Sequence, residues 1–391
     1  MTGDVPTPVQ IPQLDCWNLP LRPYTEFQQL PQKAISMVEM IEFQELNNDQ
    51  RREAANTEQR FVVFTEARKR ADGYRGSMVF SGTNGHEYLL RSYYDPRSGV
   101  RRQKSLGPRS AETERLKAEY DSGRAAAKDR LAAAREAIER QAAMNRALGL
   151  GRVPDPGGRI IRALDSAGLL GNGMRVVGTN ALYAYEAVAG VRFSSEVTTT
   201  DDIDILFDTR ATLRFEVSEE IGERTLMGLL RRVDRSFERT SQPFQASNRD
   251  GYLVDLIRPM RNPPWTDERD SLSGTADDIQ AVEILGLVWQ ESAPSFSATA
   301  IDVRGFPVRI VAPDPRAFAV HKLWLSQRDD RNPGKRERDL AQAKAVAQLT
   351  AQYLRHLPFQ PEALKNFPKA IVDRAAPLFD HAPPPEDRFD Y

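Results

Sequence analysis

The residues that build disulfides and zinc clusters are scarce in this sequence. Its 391 residues include one Cys and four His. An intrachain disulfide framework is excluded, because Cys16 has no second cysteine to pair with. A structural zinc cluster made of Cys and His ligands is not expected either. Any metal chemistry in this chain must therefore depend on carboxylates.

The sequence also lacks a long apolar run and an excess of charge of either sign. No stretch of about 18 consecutive apolar residues occurs, so we expect no membrane span. The first residues include Asp4 and several Pro, where a secretion signal has a basic start and an apolar core. Lys and Arg number 54 against 55 Asp and Glu, a net charge of −1. We expect a soluble, cytoplasmic protein of roughly two or three domains.

Composition divides the chain into four parts. Residues 1–31 hold six Pro and predict an extended arm. Residues 32–148 predict a helix, a β-meander and a long helix, and the Gly- and Pro-rich segment 149–158 predicts a domain boundary. Residues 159–312 alternate strand-like and helical stretches, which is typical of a domain built on one sheet. Residues 313–391 predict a helical region with a Pro-rich tail.

The amino-terminal region carries both helical and strand patterns. Apolar residues recur at the spacing of an amphipathic helix, at Ala34, Met37, Val38 and Ile41. Gly73 predicts the end of that helix. Three short β-prone runs between residues 74 and 106 are separated by turn residues and predict an antiparallel meander. Ser110 is the predicted N-cap of the long helix that follows, which extends to about Leu148.

The strongest chemical signal is Asp-Ile-Asp-Ile at 202–205, inside a predicted strand. Successive side chains of a strand point to opposite faces, so Asp202 and Asp204 share one face while the two Ile enter the core. Two neighbouring carboxylates repel each other unless a cation lies between them. Their oxygen ligands suit hard divalent ions.

A third acid, Asp255, lies inside the otherwise apolar run GYLVDLIRP. An acid within a core strand is costly unless it has a partner. If this strand pairs with the strand of Asp202 and Asp204, the three carboxylates meet. They can then hold two metal ions about 4 Å apart, the arrangement used for in-line phosphoryl displacement.

A predicted turn upstream of the acids suits phosphate binding. Gly178, Thr179 and Asn180 join the predicted strand MRVVG to a helix. Gly permits a close backbone approach, and a Thr hydroxyl and free N–H groups at a helix start can hold phosphate oxygens. Each piece alone has an ordinary structural interpretation, since an isolated Asp-x-Asp strand is more often an exposed edge than a site. The ordered combination is much more specific.

This combination resembles the nucleotidyltransferase superfamily typified by DNA polymerase β. The residues that match its pattern are Gly178, Thr179, Asp202, Asp204 and Asp255. The resemblance covers about residues 160–345. It implies an α+β fold with a mixed sheet and flanking helices, preceded by the helical and β-meander region and followed by the helical carboxy-terminal region.

The resemblance also implies a chemistry. The three acids would be the catalytic residues and would hold two Mg²⁺ ions, with Asp255 helping to activate the attacking hydroxyl. Gly178, Thr179 and Asn180 would bind the phosphates of a nucleoside triphosphate. The implied reaction moves a nucleoside monophosphate to a hydroxyl and releases pyrophosphate. One departure is the spacer of 22 residues between Thr179 and Asp202, which is longer than in the most compact members.

The segment after Pro313 resembles the helical element of minimal bacterial nucleotidyltransferases, including abortive-infection-type toxins. The matching residues are Pro313, Lys322, Arg328, Lys335, Arg338 and Asp339. The resemblance implies that Lys322 and Arg328 contact the triphosphate, although a solvated or ion-paired role explains each of them equally well. We expect Asp339 to pair with Arg328 or Lys335 rather than to bind metal.

Positive charge is concentrated in residues 91–159. This stretch has 16 Lys and Arg against nine Asp and Glu, a net charge of +7, so the rest of the chain carries −8. With Tyr88, Tyr93 and Tyr94, the basic meander could follow a phosphate backbone and stack on bases. The alternative, which the pattern favours, is that Tyr and Leu side chains pack on the helices while the Arg face is solvated.

Three functional hypotheses remain open at this stage. The first is a magnesium-dependent nucleotidyltransferase that acts on an RNA, for example tRNA, or on a protein hydroxyl. The second is a non-catalytic nucleic-acid-binding protein with a vestigial transferase fold. The third is the toxin of a toxin–antitoxin pair. The sequence leaves the nucleotide, the acceptor and the oligomeric state undetermined.

Overall fold

The structure, a computed structural model, describes residues 41–83, 85–94, 100–208, 225–261, 263, 265, 270–275 and 277–380. The Pro-rich arm, most of the periodicity at residues 34–41 and the Pro-rich tail lie outside these residues. Within the described ranges, no helix is both long enough and apolar enough to cross a membrane.

The amino-terminal region forms a helical hairpin that carries a small sheet. Its elements are β1 (Gln44–Glu45), α1 (Asn48–Asp72), β2 (Ser77–Thr83), β3 (His86–Tyr94), β4 (Arg101–Pro108) and α2 (Ala111–Ala147). The predicted meander is confirmed, since β2, β3 and β4 pair antiparallel in that order. The helices α1 and α2 pack against each other, and α2 also contacts β2 and β4.

Local capping chemistry sets the ends of both long helices. Asn47 caps α1 by accepting a hydrogen bond from the backbone N–H of Gln50, and Gly73 follows its last residue. At α2, Ser110 accepts from the backbone N–H of Thr113, whose side chain accepts from the N–H of Ser110. The predicted stop at Gly73 and cap at Ser110 are confirmed. However, α1 begins at Asn48, after the position where periodicity predicts a helix.

The central region mixes strands and helices. Its elements are α3 (Asp155–Ser166), β5 (Met174–Val177), α4 (Leu182–Ala189), β6 (Val191–Arg192), α5 (Ser195–Thr198), β7 (Asp202–Phe207), α6 (Leu226–Val233), β8 (Glu238–Arg239), β9 (Gln245–Ser247), β10 (Leu253–Pro259), β11 (Val282–Ile284), α7 (Leu287–Ser292), β12 (Ser295–Ile301) and β13 (Pro307–Pro313).

A mixed sheet organises this region. Its strand order is β5-β7-β10-β9-β8, and β11 also pairs with β10. Strands β7 and β10 are parallel, whereas β5 runs antiparallel to β7. The predicted strands MRVVG, DDIDILFD and GYLVDLIRP correspond to β5, β7 and β10, which are therefore neighbours. The predicted α+β fold with a mixed sheet and flanking helices is confirmed.

Helices of the carboxy-terminal region pack on the central region. They are α8 (Pro315–Ser326), α9 (Pro333–Tyr353), α10 (Lys369–Ala375) and α11 (Pro377–Asp380). Asp314 caps α8 and Asn332 caps α9, each followed by a Pro in the first turn. Helices α8 and α9 pack against each other, and α9 also contacts α4. A single cluster of buried apolar residues joins these helices to the sheet.

Two features differ from the sequence-based expectation. Helix α3 begins at Asp155, inside the segment 149–158 that predicts a boundary, because Pro156 fits the first turn of a helix. The antiparallel pair β12–β13 was not predicted. The buried positions in the middle of β12 are Ala298 and Ala300, and such small side chains give only a weak hydrophobic signal.

The amino-terminal hairpin contacts the central region through a buried polar network. Asn145 of α2 is fully buried, and its Nδ2 donates to the carbonyl oxygen of Gly305 at 2.8 Å. Its Oδ1 accepts from Thr57 Oγ1 of α1 and from Gln141 Nε2, each at 3.0 Å. A short pairing of β1 with β6 adds a second contact. The hairpin is thereby tied to the turn that follows β12.

Candidate active site

Strand β7 presents two carboxylates on one face. Ile203 and Ile205 are fully buried, whereas Asp202 and Asp204 between them are only partly buried. This alternation follows from the twofold repeat of a strand, because the apolar side chains enter the core. The predicted shared face of Asp202 and Asp204 is therefore present.

The parallel pairing of β10 with β7 brings the third acid alongside. In this register Asp255 lies opposite Asp204, and Leu253 lies opposite Asp202. Asp255 is buried, with 5% of its surface exposed. On the other side of β7, Asp204 lies opposite Val177, the last residue before the Gly178 turn. The structure thus brings together the three acids and the turn that the sequence predicts as one site.

Electrostatics confirm that the three acids are close. Burial and the negative charges of Asp202 and Asp255 raise the pKa of Asp204 to about 7. Burial also raises the pKa of Asp255 to about 6, against a hydrogen bond from Gln245 that lowers it, and the charge of Asp202 raises it further. The apoprotein therefore holds mutually repelling carboxylates.

Two polar side chains that the sequence did not single out hold these carboxylates. Gln245 Nε2 donates to Asp255 Oδ1 at 2.8 Å, from the position on β9 directly opposite Asp255. Thr200 Oγ1 donates to Asp202 Oδ1. Strand β9 has only three residues, too few for an alternation to be recognised. The sequence signal for Gln245 is therefore absent, although Thr200 lies just before the Asp-x-Asp strand.

The turn after β5 needs glycine at its first position. Gly178 has φ +62°, and a Cβ built there would collide with the carboxylate of Asp204. Thr179 is buried, and its Oγ1 accepts from Gln342 Nε2 of α9 at 3.1 Å. Asn180 Nδ2 donates to the backbone oxygen of Asp202 at 2.7 Å. The turn is therefore fixed against β7, and phosphate binding by Thr179 and Asn180 stays a prediction.

The two cations predicted to bind the triphosphate are both ion-paired. Lys322 is buried, and its Nζ donates to Asp339 Oδ1 at 2.7 Å. Arg328 donates through Nε to Asp330 Oδ1 at 2.8 Å and lies over the Trp324 ring. Because the charge of Lys322 also lowers the pKa of Asp204, Lys322 lies near the carboxylates. Triphosphate contact by either residue stays a prediction.

Asp339 has different partners from those expected. Its two carboxylate oxygens accept from Lys322 and from Arg331 Nε, the latter at 2.8 Å, rather than from Arg328 or Lys335. The expected pairing was wrong because Lys322 of α8 packs against α9 and lies closer. The charge of Lys335 instead lowers the pKa of both Asp204 and Asp255. Lys335 is therefore a cation near the site that the list of nucleotide-binding candidates omitted.

The donor set fits a hard divalent cation by its chemistry. All three acids offer carboxylate oxygens, and a bound cation would remove the repulsion that raises two of their pKa values. In the described ranges, however, no three His, Cys, Asp or Glu side chains converge closely enough to hold a metal ion as they stand. A cation would compete with Thr200 and Gln245 for the carboxylates.

Comparison with known proteins agrees with this geometry. A family model described as nucleotidyltransferase matches residues 156–366, more than half of the 391 residues. No curated protein and no solved structure matches the chain. The matched stretch contains the three carboxylates and the Gly178 turn. Fold, site and matched region agree, and this chain belongs to a nucleotidyltransferase family.

Proposed function

We propose that this protein transfers a nucleoside monophosphate from a nucleoside triphosphate to a hydroxyl of an RNA or protein acceptor, with magnesium. The observation that carries the proposal is the register of β7 and β10, which sets Asp255 beside Asp204 and one carboxylate along from Asp202. Three acids kept together at an energetic cost suggest a function that needs them. The glycine turn packed against Asp204 gives further support.

The reaction has simple bookkeeping. The oxygen of the acceptor hydroxyl bonds to the α-phosphorus, the bond from that phosphorus to the bridging oxygen of the β-phosphate breaks, and pyrophosphate leaves. We assign Asp255 as the group that takes the proton of the hydroxyl. It is the most buried of the three acids and is oriented by Gln245.

The remaining groups bind and orient the nucleotide. Asp202, Asp204 and Asp255 would hold magnesium, which when bound neutralises the carboxylates and polarises the phosphoryl oxygens. Thr179 and the backbone N–H groups at the start of α4 are placed to bind phosphate oxygens. Lys322 and Lys335 add positive charge on the side of the site formed by α8 and α9.

Labelled nucleotides test the reaction class. The protein is incubated with magnesium, cellular RNA and cellular protein, and with each nucleoside triphosphate labelled at either the α- or the γ-phosphate. Nucleotidyl transfer puts the α-label on an acceptor and releases the γ-label in pyrophosphate. Acceptor labelling from the γ-position would instead show phosphoryl transfer, and no labelling by any nucleotide would refute the proposal.

A non-catalytic nucleic-acid-binding role makes a different prediction. Binding of nucleic acid would then weaken steeply with salt and would not change when the three acids are neutralised, and no label would be transferred. Magnesium-dependent binding of a triphosphate that disappears in Asp202→Ala would contradict that role. A toxin would arrest growth as the wild type and be harmless as Asp202→Ala.

A further inference from the structure

The sheet of the amino-terminal hairpin has one face packed on a helix and one face exposed. Leu89 is fully buried, and its neighbour on the same face, Arg91, lies over the Tyr120 ring of α2 at 4.6 Å. Tyr88 and Tyr94 point to the opposite face because side chains alternate along β3. On that face Val79 and Tyr88 are 43% and 39% exposed.

The edge strand β4 concentrates positive charge. Arg101, Arg102 and Lys104 are all exposed, and β4 contains no acid. Lys and Arg on edge strands commonly serve only to prevent strand pairing with other chains. The opposite edge strand β2, with the sequence SMVFSGT, carries no charged residue. Edge protection alone does not explain a sheet in which one edge is cationic and the other uncharged.

Other cations of the basic stretch are engaged within the fold. Arg91 donates to the carbonyl oxygen of Arg75 at 2.9 Å. Arg109 forms ion pairs with Glu87 and Glu114. Farther along, Arg152 pairs with the buried Glu186 at 2.8 Å. The net charge of +7 in residues 91–159 therefore overstates what a ligand meets, and the exposed excess on the sheet lies on β4.

Helix α2 holds this sheet far from the central region. The sheet contacts α2 near Tyr120, and the central region contacts α2 at Asn145. At about 1.5 Å per residue, these contacts lie roughly 38 Å apart along the helix axis. Because the junction at Asn145 is fully buried and hydrogen-bonded, the arm is fixed at that end. A ligand that touches both units must be elongated.

We propose that this surface binds the phosphate backbone of a polynucleotide acceptor. The surface, called the meander surface below, consists of Val79, Tyr88, Tyr94, Arg101, Arg102 and Lys104. Phosphates complement the three cations, and exposed Tyr rings can stack on bases. A duplex of about a dozen base pairs, at roughly 3.4 Å each, spans the arm. The inference rests on the proposed function, and among its acceptors it selects the polynucleotide.

Equilibrium binding to defined duplexes tests the surface. The full-length protein is titrated into labelled RNA and DNA duplexes of about 30 base pairs at several salt concentrations. The test variant is Arg101→Ala, Arg102→Ala and Lys104→Ala together. The control variant removes three exposed cations of the carboxy-terminal region, by Arg355→Ala, Lys365→Ala and Lys369→Ala. Thermal unfolding checks that both variants are folded.

The test variant should bind at least about tenfold more weakly, and the slope of log K against log salt should fall by about 2 to 3. The control should change binding by less than about twofold. Binding of either duplex supports the proposal, and the tighter one identifies the acceptor class. Equal losses in both variants would overturn it. Displacement of the duplex by polyglutamate as readily as by unlabelled RNA would also overturn it, in favour of an acidic protein partner.

The binding assay separates this proposal from the proposed function. Asp204→Asn should bind the duplexes like the wild type, since the carboxylates lie outside the meander surface. Weak binding by the cation variant, with no nucleotide transfer by the wild type, would leave the surface standing and remove the proposed function. Unchanged transfer to polynucleotide by the cation variant would do the reverse.

Discussion

At the residue scale, the site is a place where like charges are held together. The folded pKa of Asp204 is about 7 against an ordinary value of 3.8, so the native state binds this proton more tightly than the unfolded chain does. Its contribution to stability is present below about pH 3.8 and is lost as the pH rises to about 7. Without metal, the ionised carboxylate therefore destabilises the fold at neutral pH.

Replacing Asp204 by Asn should stabilise the metal-free protein. At pH 8 with a chelator, we expect the free energy of unfolding to rise by about 1–2 kcal/mol, less than the full pKa shift implies because the carboxylate is partly exposed. Denaturant unfolding measures this. Asp201→Asn, which changes an exposed neighbour, should have little effect. A less stable Asp204→Asn protein would contradict the account.

Gly178 should tolerate no side chain. In Gly178→Ala the methyl group is strained at positive φ and also displaces the carboxylate of Asp204. We expect nucleotide transfer to fall by about 100-fold or more. Gly251 has a similar φ of +83° but no atom within 4 Å of an added Cβ, so Gly251→Ala isolates the backbone strain. Steady-state kinetics should show nearly normal transfer in that control, and equal losses would contradict the role of Gly178.

His321 is a buried base that should make stability depend on pH. Burial lowers its pKa to about 3, and Trp289 and Trp324 lie against its ring. The charged groups that act on it are Lys322, Asp339, Arg331 and Arg328. Because the unfolded histidine titrates near 6.5, the unfolded state takes up the proton first. Its contribution is present above about pH 6.5 and is lost as the pH falls towards 3.

The variant His321→Phe should reduce this loss. Between pH 6.5 and 5, the wild-type free energy of unfolding should fall more steeply than that of His321→Phe, by up to about 1.4 kcal/mol per pH unit. Comparing the two proteins removes the opposite slope contributed by Asp204 and Asp255. The exposed His356, changed to Asn, serves as the control. Parallel curves for wild type and His321→Phe would show that His321 is not the group responsible.

At the scale of elements, the α2 junction couples the hairpin to the central region. In Asn145→Ala, the carbonyl of Gly305 and the polar side chains of Thr57 and Gln141 lose a buried partner. We expect a loss of about 2 kcal/mol in stability and faster proteolysis of segment 149–158. Asn172→Ala, which removes one exposed hydrogen bond, is the control. Proteolysis at the same rate in both variants would mean that Asn145 does not fix the arm.

The elements of the site were predictable because short-range rules govern them. Alternation along β7 assigns Ile203 and Ile205 to the core and so exposes the face of Asp202 and Asp204. Side-chain capping at Ser110 starts α2 where the sequence predicts. These features depend on residues close together in the chain, and they are confirmed.

The remaining contacts depend on how distant segments pack. Gln245 meets Asp255 only because β9 runs antiparallel to β10, and no pattern in a strand of three residues announces this. Charge pairing is similar, since Asp339 had several cations within reach in sequence and took Lys322 and Arg331. A sequence can name the charged groups near a site, but packing decides which of them pair.

At the scale of the whole molecule, the net charge of −1 hides an uneven distribution. Cations exposed on the sheet lie on β4, far along α2, whereas the central region gathers three carboxylates on β7 and β10. Metal binding would offset the second group without changing the first. The working enzyme would then present positive charge at one end and a neutralised reaction centre at the other, an arrangement suited to an elongated anionic substrate.

The most direct test of the account is nucleotide transfer by a protein that lacks one of the three carboxylates. Single-turnover transfer from α-labelled nucleoside triphosphate, with magnesium in excess, is compared for the wild type, Asp255→Asn and the control Asp201→Asn. The account predicts that Asp255→Asn loses transfer by about 1000-fold or more, while Asp201→Asn stays near the wild-type rate. Transfer by Asp255→Asn at the wild-type rate would contradict the assignment of the reaction to these carboxylates.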